Sequence, residues 1–295
     1  MQTLLRRKRP TTGRITLVAA MILLALICVY PLWYTLIVSF SDHVAVESGF
    51  VRWLPVGFSL GSYERIVADD DFLRAFGVSV LRVLLGGLIN FVLTVSAAYP
   101  ISKSRAEFKD KNAYVWFLIF VLLFPPTVIP TFLTVKALGL MNTIWALVLP
   151  SAVPVFNVIV LANAFRGIPT ELDEAAYMDG AGPWFLLLRI YVPLSTAAIA
   201  TVTLFSIVYH WNDFFSGLIY MSNDRLYPLQ TYIQQIVLIL DYENMTQDQI
   251  RMLSKVSART LNAAKVMVAM IPVVIAYPFL QRYFVKGLTI GAVKE

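Results

Sequence analysis

The fold of this chain is decided by a long apolar stretch near its beginning. From Ile15 to Phe40 the sequence reads ITLVAAMILLALICVYPLWYTLIVSF, which is 26 residues without one Asp, Glu, Lys or Arg. Because a helix rises about 1.5 Å per residue and the hydrocarbon core of a bilayer is about 30 Å thick, about 20 such residues suffice to cross it. The stretch therefore predicts a membrane-spanning helix.

Five more stretches are long and apolar enough to span a membrane. The six predicted spans are Ile15–Phe40, Val83–Ser102, Asn112–Val135, Ala137–Phe165, Ile190–Asn212 and Leu261–Gln281, the last with one charge, Lys265, near its start. Over all 295 residues, 58% are hydrophobic and 14% charged, against roughly 45–50% and about 25% in ordinary globular proteins. These values exclude a soluble enzyme and a disordered chain. The fold class predicted is an all-α membrane protein with six transmembrane helices.

The distribution of Lys and Arg predicts the orientation of the spans. With both termini cytoplasmic, the inner segments hold 14 of these residues and the outer segments hold 8, as the positive-inside rule requires. In this arrangement residues 1–14 are a cytoplasmic N-terminus, 15–285 the transmembrane domain and 286–295 a cytoplasmic tail. The net charge of +6 is then a topology signal, and no nucleic-acid partner is expected. Residues 213–260 form the largest outer segment, in which an amphipathic helix is predicted over Leu226–Leu240.

The inner segment 166–189, between the fourth and fifth spans, predicts a short helix. Thr170 is a suitable N-cap, with Asp173 in the capping-box position, and Gly180 suits the left-handed residue that ends a helix. One face of this helix is predicted to carry Leu172, Ala175, Ala176 and Asp179. A short helix with a small-residue face that projects from two spans is suited to dock in the groove of a soluble partner.

This segment resembles a known family. Glu174-Ala175-Ala176, Gly180 three residues on, and Ile190-x-Val192-Pro193 after nine more are similar to the EAA loop of the membrane subunits of bacterial ABC importers, with Val192 where the family has Leu. The resemblance implies that the loop contacts an ATPase through six residues: Glu174, Ala175, Ala176, Asp179, Gly180 and Pro193. It also implies that the tail reaches the ATPase dimer through Lys286, Gly287 and Gly291.

The resemblance extends to the sugar-uptake branch of these permeases. The segments 141–143, 210–212, 227–230 and 283–295 are similar to permeases for complex or acidic oligosaccharides, of the aldouronate and alginate type. The implied partners are a second homologous permease subunit, a dimer of ATPase subunits that binds ATP and Mg, an extracytoplasmic solute-binding protein and the oligosaccharide. The resemblance places the chain in the bacterial cytoplasmic (inner) membrane, in contact with lipid and with no cofactor of its own.

Polar residues in or near the spans are candidates for the substrate pathway: Arg82, Asn90, Asn157, Asn163, Trp211 and Asn212. Each has another interpretation, since Arg82 can snorkel to the outer interface, the three asparagines at membrane depth can bond neighbouring helices, and Trp211 can belong to an interfacial aromatic belt.

The sequence offers no catalytic or metal site. It has no Gly-x-x-x-x-Gly-Lys-Ser/Thr motif to bind ATP phosphates, and two histidines make no cluster of metal ligands. The energy source is therefore expected on another chain. Two other classes stay open: an ion-coupled secondary transporter, which would take up its substrate without an ATPase, and an integral membrane enzyme, which would turn over substrate alone.

Overall fold

A computed structural model describes residues 12–238 and 258–291, and these fold almost entirely into helices. In chain order the helices are α1 (Thr12–Ser39), α2 (His43–Glu47), α3 (Gly61–Val67), α4 (Asp70–Ser102), α5 (Lys111–Leu123), α6 (Val128–Ala137), α7 (Ile144–Val148), α8 (Val155–Arg166), α9 (Glu171–Met178), α10 (Pro183–Leu186), α11 (Val192–Leu194), α12 (Thr196–Asn212), α13 (Phe215–Tyr220), α14 (Leu229–Leu238) and α15 (Ala258–Gly291). A π-helical segment, Leu187–Tyr191, joins α10 to α11. The predicted all-helical class is confirmed for the described residues.

Two helices are continuous and apolar enough to cross a bilayer, over Thr16–Ser39 of α1 and Asp70–Ser102 of α4. α4 begins before the predicted start because Asp69 caps it, accepting a hydrogen bond from the backbone N–H of Phe72 at 3.1 Å. Three bent helix pairs bring the number of spans among the described residues to as many as five. The sixth predicted span, Leu261–Gln281, lies within α15, and the count of six stays a prediction.

The third predicted span, Asn112–Val135, is not one straight helix. α5 ends at Leu123, α6 begins at Val128, and the two axes differ by 111°. Pro125 and Pro126 lie at the break, where they have no backbone N–H to continue the helix. The 13 residues of α5 extend about 20 Å, against a hydrocarbon core of about 30 Å. The predicted span is therefore divided into two helices, neither of which is long enough to cross the bilayer alone.

The fourth and fifth predicted spans are also broken. Ala137–Phe165 is interrupted by a loop in which Gly139 and Asn142 have positive φ, and the part from Ile144 onward bends by 48° near Pro154. The fifth span bends by 86° at the start of α12, so its straight part has 17 residues, fewer than predicted.

The chain packs as two units. Among the described residues, the smaller unit contains 12–68 and 258–268. Its core consists of Ile37, Val38, Val46 and Val51, with Tyr34, Ala45 and Ala263 against them. Residues 16–33 of α1 are exposed along their whole length. Such an exposed, mostly apolar surface on a spanning helix is suited to contact with lipid.

The larger unit contains residues 69–238 and 269–291 of the described chain. α4 is its central helix and packs mainly against α12 and α8. A core of buried apolar side chains lies at the C-terminal end of α4, and its members include Ala98, Leu161, Phe165, Leu186 and Tyr191. The short helix α9 lies at this same end. α4 therefore connects α9 with the middle of the bundle.

Candidate functional site

Helix α9 lies in the predicted coupling loop, and it ends as the sequence predicts. Gly180 has a left-handed backbone, with φ of 77°. The N–H of Ala181 donates to the carbonyl of Ala176 at 2.9 Å and the N–H of Gly180 to that of Tyr177 at 3.0 Å, which is the Schellman pattern of helix termination. A Cβ added to Gly180 would have no atom within 4 Å, so backbone conformation and not space requires glycine here.

The two sides of α9 differ from the predicted ones. Asp173 and Ala176 are buried against the bundle, whereas Glu174, Ala175 and Asp179 are exposed. Ala176 belongs to the apolar core at the end of α4, so the prediction that it shares a free face with Ala175 is wrong. The exposed surface of α9 thus combines acidic residues and Ala175 with the large side chains of Leu172, Tyr177 and Met178, and its inner side is fixed to the bundle.

The predicted capping box at the start of α9 is absent. Thr170 has a helical backbone, with φ of −68° and ψ of −22°, and its side chain makes no capping hydrogen bond. An N-cap side chain reaches the following N–H groups from an extended backbone, which Thr170 lacks. The carboxylate of Asp173 points inward instead, to a cation in the bundle.

That cation is Lys103, the residue that directly follows α4. Its Nζ forms an ion pair with Oδ2 of Asp173 and donates a hydrogen bond to the hydroxyl of Tyr191 at 2.9 Å. The hydroxyl of Tyr191 donates in turn to the same carboxylate oxygen at 2.8 Å. Nζ also lies 4.7 Å from the ring centroid of Tyr99 and 4.3 Å from that of Tyr191. The three side chains Lys103, Asp173 and Tyr191 form a closed, buried cluster, which we call the α9 anchor.

Pro193 of the EAA motif lies two residues after the anchor residue Tyr191. Proline has no N–H to donate to the carbonyl four residues back. The chain before it is π-helical, and the N–H of Val192 bonds the carbonyl of Leu187, five residues back. Such π segments often lie at functional sites. Pro193 itself is exposed.

Glu107 and Tyr177 lie at the rim of the anchor, outside the predicted spans. Glu107 accepts hydrogen bonds from the hydroxyl of Ser104 at 2.7 Å and from its backbone N–H at 2.9 Å. Burial acts to raise the pKa of Glu107, but these bonds and the charges of Lys103 and Lys111 outweigh it and hold the pKa below its usual range. Burial and nearby carboxylates raise the pKa of the Tyr177 phenol. At neutral pH the rim therefore holds a carboxylate beside a neutral phenol.

A pocket of about 290 Å³ lies between α4, α8 and α12, with Asn90 on its wall. We call it the polar pocket because five of its eight lining residues are polar, although most of the surface they expose to it is apolar. The amide of Asn90 donates to the carbonyls of Ser151 at 2.7 Å and Ala152 at 2.8 Å. These carbonyls lie at the break before Pro154, where the helix cannot supply their partners. Asn90 thus stabilises the bend between α7 and α8.

Asn157 reaches the same pocket from α8. Its amide donates to the carbonyl of Val202 at 3.1 Å and to the hydroxyl of Ser206 at 3.2 Å. The pocket brings together two of the predicted pathway residues with side chains that the sequence did not single out: Ser151, Ser206 and Tyr209. None of these carries a formal charge.

Arg82 does not lie at an interface. Its side chain is fully buried, donates to the backbone carbonyl of Asp213 at 2.9 Å and forms an ion pair with the carboxylate of Asp213. Asp213 also accepts from the backbone N–H groups of Phe215 at 3.0 Å and Ser216 at 3.2 Å, and so caps α13. The prediction that Arg82 snorkels outward is wrong, because this partner offsets the cost of burying its charge.

The other three predicted pathway residues do not line the polar pocket. Trp211 is buried and its indole N–H donates to the carbonyl of Ala269 at 3.0 Å, which joins α12 to α15. Asn212 is exposed at the end of α12, and Asn163 is exposed on α8, where it accepts a hydrogen bond from Arg166 at 3.0 Å. The six candidates therefore do not form one site.

Gly86 lies against the fully buried ring of His210, whose Nε2 is 2.9 Å from Oδ1 of Asn90. A Cβ on Gly86 would lie 2.6 Å from Cε1 of this ring, whereas one on Gly87 would meet only Ile207, at 3.9 Å. We expect Gly86→Ala to lower the free energy of unfolding by about 1–3 kcal/mol through overpacking. Gly87→Ala, the matched control, should leave it unchanged or raise it by up to about 1 kcal/mol. Equal thermal unfolding of the two purified variants would contradict this.

The predicted ATPase-contacting tail is partly described. α15 continues through Lys286 and Gly287 to Gly291 as a helix. Residues 292–295 lie outside the described residues, as do residues 239–257 of the outer segment. The outer helix predicted over Leu226–Leu240 is confirmed as helical over Leu229–Leu238, which is α14. The contact of the tail with an ATPase stays a prediction.

Sequence reasoning missed the α9 anchor. Lys103 was counted only as a charge of an inner loop, and Tyr191 only as a variable position of the EAA motif. Lys103 and Asp173 are 70 residues apart in the chain, so no local spacing joins them.

A multi-pass helical bundle with a short helix outside its spans is the architecture expected of a membrane permease subunit. A family model for binding-protein-dependent transport system inner membrane components matches residues 73–290. The chain belongs to this family. The class inferred from the EAA loop is therefore confirmed: the chain is an inner-membrane permease subunit of an ABC transporter, is not the ATPase, and carries no cofactor.

Known relatives cover nearly the whole chain. The polygalacturonan/rhamnogalacturonan transport system permease protein YtcP of Bacillus subtilis (strain 168) is 35% identical over 274 residues, 93% of this chain and 95% of that protein. Protein LplC of the same organism is 35% identical over 91% of this chain and 90% of its own length. A chain in the crystal structure of a bacterial ABC transporter involved in the import of the acidic polysaccharide alginate is 30% identical, with a TM-score of 0.86, over 94% of this chain and 99% of that one.

Proposed function

We propose that this chain is one of two membrane subunits of an ABC importer that takes up an acidic oligosaccharide from a solute-binding protein. The observation that carries the proposal is the likeness to the alginate transporter chain, at a TM-score of 0.86 and 30% identity over 94% of the chain. The similarity to a permease named for polygalacturonan and rhamnogalacturonan points to the same substrate class. Both names describe polymers that contain uronic acids, and all these substrates are carbohydrates.

The energy for transport is proposed to come from a dimer of ATPase subunits that bind ATP and Mg. Helix α9 supports this, because it exposes Glu174, Ala175 and Asp179 on a short helix that ends at a sharp turn. These acidic residues, together with the exposed Leu172 and Met178, suit a groove that offers both basic and apolar side chains. In our proposal the tail of α15 makes a second contact with the ATPase, and a homologous permease subunit completes the membrane domain.

The polar pocket between α4, α8 and α12 is the proposed part of the substrate pathway in this subunit. Its amides and hydroxyls match the hydroxyl groups of a sugar, although the described N–H groups of Asn90 and Asn157 already bond the protein. The side chains that line this pocket carry no formal charge. We therefore assign the preference for an acidic sugar mainly to the binding protein.

The substrate class is tested with the complete complex reconstituted with its binding protein. We expect ATP hydrolysis to be stimulated by short uronate oligomers, such as oligogalacturonate or alginate oligomers, more than by neutral oligosaccharides, with no stimulation by amino acids. Stimulation by neutral sugars alone would remove the acidic preference. Stimulation by amino acids alone would remove the sugar as well.

The orientation is proposed to be six spans with both termini cytoplasmic. A reporter enzyme active only outside the cytoplasm should be silent when fused after Glu295 and active when inserted near Asn244, which lies outside the described residues. The proposal follows from the excess of Lys and Arg in the inner segments. The opposite pair of reporter activities would contradict it.

A further inference from the structure

Helix α9 is held to the bundle by few of its side chains. Of its eight residues, Asp173 and Ala176 are buried and the others are exposed, with Met178 at 89%. Ala176 contributes only a methyl group to the apolar core. Asp173 is therefore the only buried polar side chain of α9, and the phenol of the exposed Tyr177 also lies beside that of Tyr99 on α4.

The α9 anchor joins three separate elements at this carboxylate. Lys103 is the C-cap of α4, Tyr191 ends the π segment that leads into α11 and α12, and Asp173 belongs to α9. Oδ2 of Asp173 accepts from both Nζ of Lys103 and the hydroxyl of Tyr191, and these two donors also bond each other. Displacing α9 alone would break two of the three bonds at once.

Burial makes this attachment stiff. The side chains of Lys103 and Asp173 are only 7% and 6% exposed. Separating the pair would therefore leave a buried charge without its partner, which is energetically costly. Lys103 has a second carboxylate nearby, Oε1 of Glu107 at 4.0 Å, but that residue belongs to the same loop and does not hold α9. A displacement of α9 is therefore expected to carry the ends of α4 and the π segment with it.

Both elements lead to the polar pocket. α4 carries Asn90 and α12 carries Ser206, on two walls of that pocket. A rigid connection at Lys103 and Tyr191 would thus transmit movement of α9 to both walls.

We propose that Lys103, Asp173 and Tyr191 are positioning residues that fix the coupling helix α9 to the two spans lining the pocket, so that the ATPase moves α9 and these spans together. The inference rests on the proposed function for its ATPase, and adds three residues that lie outside the ATPase contact surface. The hydrogen-bonded charge pair, and not apolar packing, is what holds α9 in place.

The test measures the distance between spin labels at Met178 on α9 and Asn112 on α5, in the assembled complex with Cys28→Ser. Both labelled positions are exposed. In the parent complex we expect a narrow distance distribution. Asp173→Asn and Lys103→Met should each at least double its width, and Tyr191→Phe should widen it less. The matched controls Asp110→Asn and Lys109→Met, on exposed residues of the adjacent loop, should leave it unchanged. An unchanged width in Asp173→Asn would overturn the proposal.

A double variant separates this role from simple folding. Lys103→Met with Asp173→Leu removes both charges and leaves neither one buried alone, so the complex should assemble. We expect its distance distribution to stay as wide as that of Asp173→Asn. A narrow distribution would overturn the proposal, since packing alone would then hold α9.

The functional readout uses the same complexes with Mg-ATP, the binding protein and oligogalacturonate. In Asp173→Asn, the rate of ATP hydrolysis without the binding protein should stay within twofold of the parent rate. The stimulation of hydrolysis by the binding protein and oligogalacturonate should fall at least fivefold. Full stimulation in that variant would overturn the proposal. If the parent itself shows no stimulation, the proposed substrate fails, and the label distances still decide the anchor independently.

Discussion

Arg82→Met is expected to lower the free energy of unfolding by about 3–5 kcal/mol, which is the usual cost of removing one partner of a buried ion pair. The guanidinium is fully buried, and its loss leaves the carboxylate of Asp213, 14% exposed, without its cation. It also removes the hydrogen bond to the backbone carbonyl at the end of α12. Thermal unfolding of the purified protein in detergent measures the effect.

Arg74 provides the matched control for this substitution. It lies on the same helix, and its ion pair with Asp71 is exposed, with side-chain exposures of 41% and 68%. Arg74→Met should therefore change the stability by less than about 1 kcal/mol. Replacing Arg82 and Asp213 together should recover part of the loss, because no unpaired charge remains, although the cap of α13 is still missing. Arg82→Met and Arg74→Met with the same unfolding midpoint would contradict the buried pair.

Gly180→Val is expected to uncouple the ATPase from this subunit or to prevent its assembly. A β-branched residue is strained at the φ of 77° found here. This strain of about 1–2 kcal/mol shifts the equilibrium between the native turn and other conformations about five- to thirtyfold away from the native turn. Stimulated ATP hydrolysis should fall accordingly.

Gly180→Asn is the control for the size of the side chain. Asn tolerates the left-handed conformation better than other residues, and the space around Gly180 is open. We expect this variant to keep most of the stimulated hydrolysis. Two equally active variants would show that the turn does not need a left-handed residue, and two equally inactive ones would show that space decides.

Local signals in the sequence predicted helix α9 and its end well. Its end at Gly180 depends on a glycine at a fixed place after a helical segment, and the structure has the Schellman turn there. The EAA spacing likewise gave the family, since the motif occupies one short loop. Pro125 and Pro126 lie at the break between α5 and α6, but nothing local in the sequence indicates that the chain bends there by 111°.

The predictions that failed depended on partners far away in the chain. Arg82 pairs with a residue 131 positions later, and Asp173 with one 70 positions earlier. Each residue taken alone had a local interpretation, as an interfacial cation and as a capping-box acid. Only the packing of α4 against α9 and α12 reveals the two buried pairs. Trp211 likewise bonds a carbonyl 58 residues away, which no spacing within its own span indicates.

The central claim is that this chain moves its substrate only when a separate ATPase drives it. Uptake of labelled oligogalacturonate into proteoliposomes tests this directly. The proteoliposomes contain the two permease subunits, either with the ATPase or without it, and the binding protein is on the face of the membrane opposite the ATPase. The account predicts uptake only with the ATPase, Mg-ATP and the binding protein together. Equal uptake by the permease subunits alone, driven by an ion gradient, would contradict it.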